Sequence, residues 1–172
     1  IKETVLTQNP LSPEQHAYTE IKSTVTALHK AVSLIEEEIE TGEFAIGALL
    51  DVEGAFNNTP TEAICKAAEN KGVPDMITNW IRDMLSHRLL EVTRGDTTVR
   101  GTVANGCPQG GVISPLEWNL VAEGALTCVK ETGCHVIGYA DDIMIVVRGR
   151  FLEPLADVLQ AALDRLWNWC KT

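Results

Sequence analysis

The sequence of 172 residues predicts an α+β fold, in which helices pack on one face of a mainly antiparallel sheet. Three observations predict it. Short runs of β-branched and aliphatic residues lie between turn residues, and longer segments carry apolar residues three and four positions apart. The third observation is their order along the chain, which is helix, strand, two helices, hairpin, helix, two strands, helix.

The first clear helix follows Ser23-Thr24 and ends at Gly42. Its apolar residues recur at helical spacing and form one stripe, which consists of Val25, Leu28, Val32, Ile35 and Ile39. Four glutamates near its end are interpreted as a solvated face. Residues 44–51 form a nearly continuous apolar run that ends in a carboxylate, which predicts a buried central strand. Upstream, residues 12–15 resemble a capping box and predict a short helical turn.

The remaining elements are bounded by glycine, proline or polar residues. They are helices over residues 61–71 and 74–86, a hairpin over 88–94 and 98–104, a helix from Ser114 to about residue 131, strands over 134–139 and 143–148, and a helix over 152–169. Ser114, Pro115 and Glu117 predict a capping box where the helix at residue 114 begins.

Composition limits the function in several ways. The formal net charge is −10, the opposite of the basic face expected for a free-standing nucleic-acid binder. Either the domain does not hold nucleic acid, or it is the acidic part of a larger protein whose basic surfaces lie elsewhere. The five cysteines include no CxxC pair, which favours reduced thiols in an intracellular protein over a zinc site. No apolar run is long enough to span a bilayer, so no membrane partner is expected.

Three carboxylates are the main candidates for chemistry. Asp141 and Asp142 form a tight turn between two very apolar strands, and Asp51 ends another strand. Pairing of that strand beside the hairpin over residues 134–148 would place Asp51 near Asp141. Adjacent like charges repel each other, and a divalent cation with oxygen ligands, such as Mg²⁺, relieves that repulsion. Because Asp-Asp pairs are also common in ordinary turns, these residues by themselves support only a candidate divalent-metal site.

Four motifs resemble those of non-LTR (LINE-type) retrotransposon reverse transcriptases, and they occur along the chain in the order found in that family. Tyr139-Ala140-Asp141-Asp142 matches the YADD box, and residues 51–56 resemble the first catalytic motif, D-x-x-x-A-F. Residues 106–116 resemble the P-Q-G-x-x-x-S-P-L motif, and residues 15–28 resemble the segment that leads from the fingers into the palm. The resemblance implies an RNA-directed DNA polymerase with a right-hand palm and part of the fingers.

The resemblance also implies site residues. Asp51 and Asp141 would bind two Mg²⁺ ions, with Mn²⁺ as an alternative ion. Asp142 would help to position the metals, and the Val52 carbonyl would be a further ligand. These ions would catalyse nucleotidyl transfer from a dNTP to a primer 3′-hydroxyl.

Five further positions would contact the substrates. Phe56 would be the steric gate that selects deoxynucleotides, and Gln109 and Gly110 would lie against the incoming nucleotide. Tyr139 would support the primer end, and Lys22 stands where the family has an arginine for phosphate contact. Without the family match, Phe56 would be assigned to the core and Tyr139 to a strand.

The resemblance predicts one reverse transcriptase domain fragment. Residues 1–43 would lead from the fingers into the palm, 44–150 would form the palm, and 151–172 a palm helix before the thumb. The chain begins at Ile1 and is short for a complete polymerase, so we expect the basic fingers and thumb segments to lie elsewhere. The expected partners are an RNA template, a DNA primer or target and dNTPs, and the expected place of action is the nucleus.

Two other functions remain open. Ile21 stands where the family has glycine, and Glu117 stands where it has leucine, which favours a retroelement remnant that has lost activity. An α+β interaction module with an acidic turn and no catalysis is the other alternative. Whether the full protein is an active polymerase or such a remnant, we expect the isolated chain to be inactive.

Overall fold

The computed structural model describes residues 1–171 and divides them into two compact units built from interleaved segments. Unit 1 contains Ile1–Pro10 and Gly54–Val121, and unit 2 contains Leu11–Glu53 and the residues from Ala122 onward. Both combine helices with antiparallel strands, so the predicted mixture of antiparallel sheet and helix is confirmed. Among the described residues, no helix combines the length and apolarity needed to cross a membrane. The division at residues 43 and 150 stays a prediction.

Unit 1 is mainly helical. Its helices are α1 (Val5–Gln8), α3 (Ala55–Asn58), α4 (Thr61–Lys71), α5 (Asp75–Ser86) and the first part of α6 (Ser114–Lys130). Helices α4 and α5 confirm the predicted pair, and the left-handed backbone of Gly72 ends α4. Their apolar faces bury Ile64, Cys65, Ala68, Ile81 and Leu85, which form the core of this unit.

The predicted hairpin of unit 1 is confirmed. Strands β2 (Arg88–Arg94) and β3 (Thr97–Val103) pair antiparallel as a sheet of two strands. Most of their residues are exposed, including Leu89, Val92 and Val99. The loop after β3 is tied back by Arg88, whose guanidinium donates to the carbonyls of Leu85 and Asn105.

Unit 2 contains a sheet of three strands. Its elements are α2 (Thr24–Thr41), β1 (Phe44–Asp51), the rest of α6, β4 (His135–Tyr139), β5 (Asp142–Gly149) and α7 (Leu152–Trp169). The strand order is β1-β5-β4 with antiparallel pairing throughout. The prediction that residues 44–51 form the central strand is wrong for this sheet, because β5 pairs on both sides and β1 lies at an edge.

Helices pack on both faces of this sheet, so the prediction that they pack on one face is wrong. Alternate residues of a strand point to opposite faces. Ile143, Ile145 and Val147 of β5 lie in the main core with α6 and α7. Met144 and Ile137 pack on the other side against Ala27 and Ala31 of α2, together with Leu34 and Tyr139. Small alanine side chains allow α2 to approach this second face closely.

Helix α2 has the predicted bounds but presents a different face to the sheet. The buried positions are Ala27 and Ala31, whereas Val25 is 73% exposed and Leu28 is 63% exposed. The predicted apolar stripe is therefore mainly a surface feature. The glutamates are also not simply solvated, because the carboxylates of Glu37 and Glu38 accept from Arg148 of β5 at 2.8 and 3.1 Å.

The segment before α2 forms the predicted turn at residues 12–15, where the Gln15 amide donates to the Ser12 carbonyl at 3.1 Å, but the turn does not continue as a helix. Instead, Gln15 makes a parallel bridge to Gly138 of β4. The His16 amide donates to the Gly138 carbonyl at 2.8 Å, and the Gly138 amide donates to the Glu14 carbonyl at 2.9 Å. Ile21 then adopts a φ of +66°, a left-handed conformation that suits glycine and strains a β-branched residue.

Candidate active site

Two of the predicted carboxylates face each other across the β1–β5 ladder of unit 2. Asp51 is the register partner of Asp142, and the Val52 amide donates to the Asp141 carbonyl at 3.1 Å. Opposite residues of an antiparallel pair share a face, with Cβ atoms about 4.5–5.5 Å apart. The last residue of β1 is therefore directly opposite the first residue of β5, on the face that α2 partly covers.

The turn that carries Asp141 is strained. Tyr139 pairs with Asp142, so Ala140 and Asp141 are the two residues of the hairpin loop. Ala140 has a φ of +54° and Asp141 does not have a positive φ. A positive φ at the first loop position alone is the pattern of a type II′ turn, where glycine is preferred. The alanine holds this conformation because the paired strands on either side fix the turn, which is common at functional sites.

The three carboxylates have no cationic neighbour within residues 1–171. No lysine, arginine or histidine forms an ion pair with Asp51, Asp141 or Asp142 there. Asp51 and Asp142 are exposed, and Asp141 is half-buried. Such oxygen donors fit a hard divalent cation such as Mg²⁺. However, the described residues contain no preformed group of three metal-binding side chains. Asp51 is thus brought together with Asp142, while the full trio is not assembled.

A groove with a volume of about 350 Å³ runs beside the paired aspartates. Its walls are apolar and come from α2 and from all three strands of the sheet. They include Ala27, Leu28, Ala31, Leu49, Ile137 and Met144. Asp51, Asp142, Tyr139 and Thr24 supply polar groups at this groove. An apolar cleft with a few convergent polar groups is typical of a binding site.

Tyr139 and Lys22 contact other parts of unit 2. The Tyr139 hydroxyl accepts from the Thr24 hydroxyl at 3.4 Å, a contact that the sequence did not predict. The Lys22 ammonium donates to the carbonyls of Pro13 and Gln15. Burial lowers the pKa of Lys22, and nearby Lys30 lowers it further while Glu14 opposes the shift. In this structure Lys22 therefore fixes the backbone of residues 13–15. Its contact with nucleic acid stays a prediction.

Glu14 is a residue that sequence reasoning missed. Its carboxylate accepts from Lys30 of α2 and from Lys130 of α6, the latter at 3.0 Å. Burial raises its pKa, but the two lysines outweigh burial and leave the pKa lowered. Because the Glu14 backbone also pairs with Gly138, this residue holds the strand that leads into the Tyr139–Asp142 turn. No sequence pattern signalled these pairs, since the partners lie 16 and 116 positions away.

The predicted nucleotide-contacting residues belong to unit 1. The Phe56 ring packs on Trp118 with ring centroids 6.1 Å apart. The Phe56 carbonyl accepts from the Cys107 amide at 2.6 Å, so the loop over residues 106–111 is fixed to this segment. A Cβ at Gly106 would overlap the Phe56 and Asn57 carbonyls, which explains the glycine there. Gln109 and Gly110 follow in the exposed part of the loop. Their contact with a nucleotide stays a prediction.

The start of α6 contains a buried acid. Glu117 is 1% exposed, and neither of its carboxylate oxygens makes a hydrogen bond of ordinary geometry. Burial raises the pKa of Glu117, although nearby Cys107 and Ser114 oppose the shift. Burial and the Glu117 charge also raise the pKa of the Cys107 thiol to about 12. The prediction of a Ser114–Glu117 capping box is therefore wrong, because the Ser114 hydroxyl also makes no hydrogen bond and the Glu117 amide donates to the Ile113 carbonyl instead.

Comparison with known families decides the assignment. Residues 1–172 match the family described as reverse transcriptase (RNA-dependent DNA polymerase). The chain belongs to the reverse transcriptase family. The family predicted from the four motifs is thus confirmed over the whole chain, and it includes both the segment with Asp51 and the turn with Asp141 and Asp142.

Relatives of this reverse transcriptase chain come from mobile elements of insects. It is 26% identical to the RNA-directed DNA polymerase from mobile element jockey of Drosophila melanogaster over 84% of the chain and 16% of the relative. It is 27% identical to the retrovirus-related Pol polyprotein from type-1 retrotransposable element R1 of Bradysia coprophila over 94% of the chain and 16% of the relative. These relatives support the non-LTR type, and the chain spans about a sixth of their length.

Proposed function

We propose that this chain is the palm-centred part of a non-LTR retrotransposon polymerase that copies RNA into DNA. The observation that carries the proposal is the register of β1 and β5, which sets Asp51 opposite Asp142 beside the strained Ala140-Asp141 turn. Acidic residues from two sequence motifs thereby meet at the end of one sheet. The relative from mobile element jockey, which is named an RNA-directed DNA polymerase, supports the same activity.

Asp51, Asp141 and Asp142 would hold two divalent cations, with the Val52 carbonyl as a further ligand. When bound, Mg²⁺ or Mn²⁺ would activate the primer 3′-hydroxyl and stabilise the leaving pyrophosphate. The chain's own contribution is to fix the backbone of these ligands. The Val52–Asp141 hydrogen bond and the Asp51–Asp142 register do this on the β1–β5 side, and the Glu14–Gly138 pairing does it on the β4 side.

The other site residues would bind substrates. Phe56 would exclude a ribose 2′-hydroxyl, Gln109 and Gly110 would contact the incoming dNTP, and Tyr139 would support the primer end. Lys22 would approach nucleic acid only if its ammonium leaves the Pro13 and Gln15 carbonyls. The substrates would be an RNA template, a DNA primer or target and dNTPs, and the place of action would be the nucleus.

Primer extension tests the activity directly. In a longer polypeptide that carries this chain with the adjoining fingers and thumb, Asp141→Ala should abolish dNTP incorporation on a primed RNA template. Asp157→Asn, an exposed acid on α7, is the matched control and should retain incorporation. Incorporation by the Asp141 variant at the wild-type rate would remove the catalytic assignment.

Metal binding can be tested in the chain of 172 residues. We expect Mn²⁺ to broaden the NMR signals of Asp51, Asp142 and their neighbours in β1 and β5, and we expect Asp51→Asn to weaken this effect. Asp157→Asn should leave it unchanged. Equal broadening in both variants would favour the α+β interaction module without a metal site.

One observation favours a second candidate, a retroelement-derived domain that has lost activity. Glu117 is fully buried without a hydrogen bond, next to the loop that would contact the nucleotide. Such a charge is costly for the fold. The inactive domain is supported if the longer polypeptide folds but gives no extension product, and if Glu117→Leu restores extension. Extension by the natural sequence would exclude it.

A further inference from the structure

Helix α2 carries an apolar surface stripe, of which only Leu28 also borders the groove beside the paired aspartates. We call it the α2 seam, and it consists of Val25, Leu28, Val32, Ile35 and Ile39. Val25 is 73% exposed, Leu28 63%, Val32 49% and Ile39 65%. Several large aliphatic side chains in one exposed row mark an interaction surface more often than a solvated one.

The spacing of the α2 seam is that of a pairing helix. Its residues follow one another at steps of three, four, three and four, the a and d positions of a heptad repeat. In proteins, most of the stability of a helix comes from tertiary packing. Helix α2 is already held, because Ala27 and Ala31 pack on the sheet and the Ser23 side chain caps its first turn. Pairing would therefore cost little ordering of the backbone.

The charges of α2 select a partner and an orientation. Glu36 and Glu40 are exposed near its C-terminal end and form no ion pair within the described residues. Carboxylates are unfavourable at the negative end of a helix dipole and favourable at the positive end. The N-terminal half carries exposed His29 beside the α2 seam. A second copy of α2 in antiparallel orientation would bring its acidic end to this N-terminal half, whereas a parallel copy would set the acidic ends together.

We propose that the α2 seam joins two copies of this chain as an antiparallel helix pair centred on Val32. By this symmetry, Val25 would lie opposite Ile39 of the second copy, and Leu28 would lie opposite Glu36, one residue from Ile35. His29 would then lie beside Glu36 of the second copy, and its ring can donate a hydrogen bond to that carboxylate. The contact is small, so the dimer would be weak and would depend on protein concentration.

Sedimentation velocity over micromolar to millimolar concentrations tests the proposal with the chain of 172 residues. The weight-average mass should rise from 18.8 kDa towards twice that value and no further. Val32→Glu should keep the chain monomeric, because two carboxylates would be buried at the centre of the pair. Val158→Glu, at an exposed position of α7, is the control and should dimerise like the wild type. Far-UV circular dichroism should be the same for all three proteins.

A charge exchange tests the orientation. His29→Glu alone should raise the dissociation constant, since it places two acids side by side. Adding Glu36→Lys to that variant should restore dimerisation through the opposite pairing. A monomer at all concentrations, a dimer that Val32→Glu leaves intact, an association that continues beyond two copies, or a double variant without rescue would each overturn the proposal.

Discussion

Glu117 is the residue whose environment is least favourable in this structure. It lies 1% exposed at the start of α6, with Cys107 and Ser114 nearby and no hydrogen bond to either carboxylate oxygen. Unpaired buried polar groups cost about 1–3 kcal/mol, and charged groups cost more. The motif comparison anticipated this finding, because the family has leucine at the position.

The first prediction is that Glu117→Leu stabilises the chain. The free energy of unfolding in urea should rise by roughly 1–3 kcal/mol, because an apolar side chain of similar size replaces an unpaired acid. Glu3→Leu, an exposed site in the same unit, should change it by less than about 0.5 kcal/mol. A loss of stability in Glu117→Leu would mean that the carboxylate has a favourable partner.

The second prediction concerns pH. Because burial raises the pKa of Glu117 above its ordinary value of 4.5, the folded chain holds this proton more tightly than the unfolded chain. The stability from that proton is full below pH 4.5 and is lost as the pH rises through the folded-state pKa. Thermal unfolding should therefore show wild-type stability falling relative to Glu117→Gln as the pH rises. A constant difference would contradict the raised pKa.

The third prediction concerns Phe56. In the longer polymerase, Phe56→Val should increase incorporation of ribonucleotides relative to deoxynucleotides, because a smaller side chain leaves room for a 2′-hydroxyl. Single-nucleotide extension with each triphosphate measures this ratio. Trp118→Phe is a useful comparison, since Trp118 supports the Phe56 ring without being the proposed gate. Unchanged sugar selectivity in Phe56→Val would refute the gate.

At the scale of elements, helices and hairpins could be predicted because their signals are local. Turn residues and apolar spacing predicted α4, α5, α7 and the β2–β3 hairpin to within a residue or two. The position of β1 at a sheet edge could not be predicted, since strand order depends on pairing between segments about 100 positions apart. The apolar composition of a strand indicates that it is buried, but it does not indicate which strands pair with it.

The buried face of α2 and the exact register of the site were also beyond the sequence. The larger residues Val25 and Leu28 predicted the buried side of the helix. In the structure, the side with the small residues Ala27 and Ala31 packs against the sheet instead. For the site, the apolar strand that ends at Asp51 was expected to pair beside the late hairpin and to place Asp51 near Asp141. Only the β1–β5 ladder specifies Asp142, rather than Asp141, as its direct partner.

The fourth prediction follows from the close packing of α2. Ala31→Leu should lower the free energy of unfolding by about 1–3 kcal/mol, because extra volume between α2 and Ile137 forces the helix away from the sheet. Val25→Leu, on the exposed side of the same helix, should have little effect. Chemical denaturation at low protein concentration measures the free energy of unfolding of both variants. Equal values would mean that Ala31 does not pack tightly between α2 and the sheet.

At the scale of the whole molecule, the net charge of −10 is the dominant electrostatic feature. Several of its cations are used internally, including Lys30 and Lys130 at Glu14 and Arg148 at Glu37. Binding to nucleic acid relies on free lysines and arginines that replace counterions at phosphates. This chain therefore carries few free cationic groups for holding a template.

The fifth prediction is that the isolated chain does not bind or extend a primed RNA template at physiological salt. Fluorescence anisotropy of a labelled duplex should stay at its free value, and no extension product should form. A longer polypeptide with basic flanking segments should bind under the same conditions. Tight binding by the chain of 172 residues alone would contradict the electrostatic argument.

The interleaving of the two units has a consequence for synthesis on the ribosome. Residues 54–121 of unit 1 are inserted between the two segments of unit 2. Strand β1 therefore leaves the exit tunnel well before β5, its only partner in the sheet of the described residues. Until then Asp51 has no opposing aspartate, and the apolar inner side of β1 is uncovered. Nascent chains that stall before residue 122 should consequently depend on chaperones that bind exposed aliphatic strands.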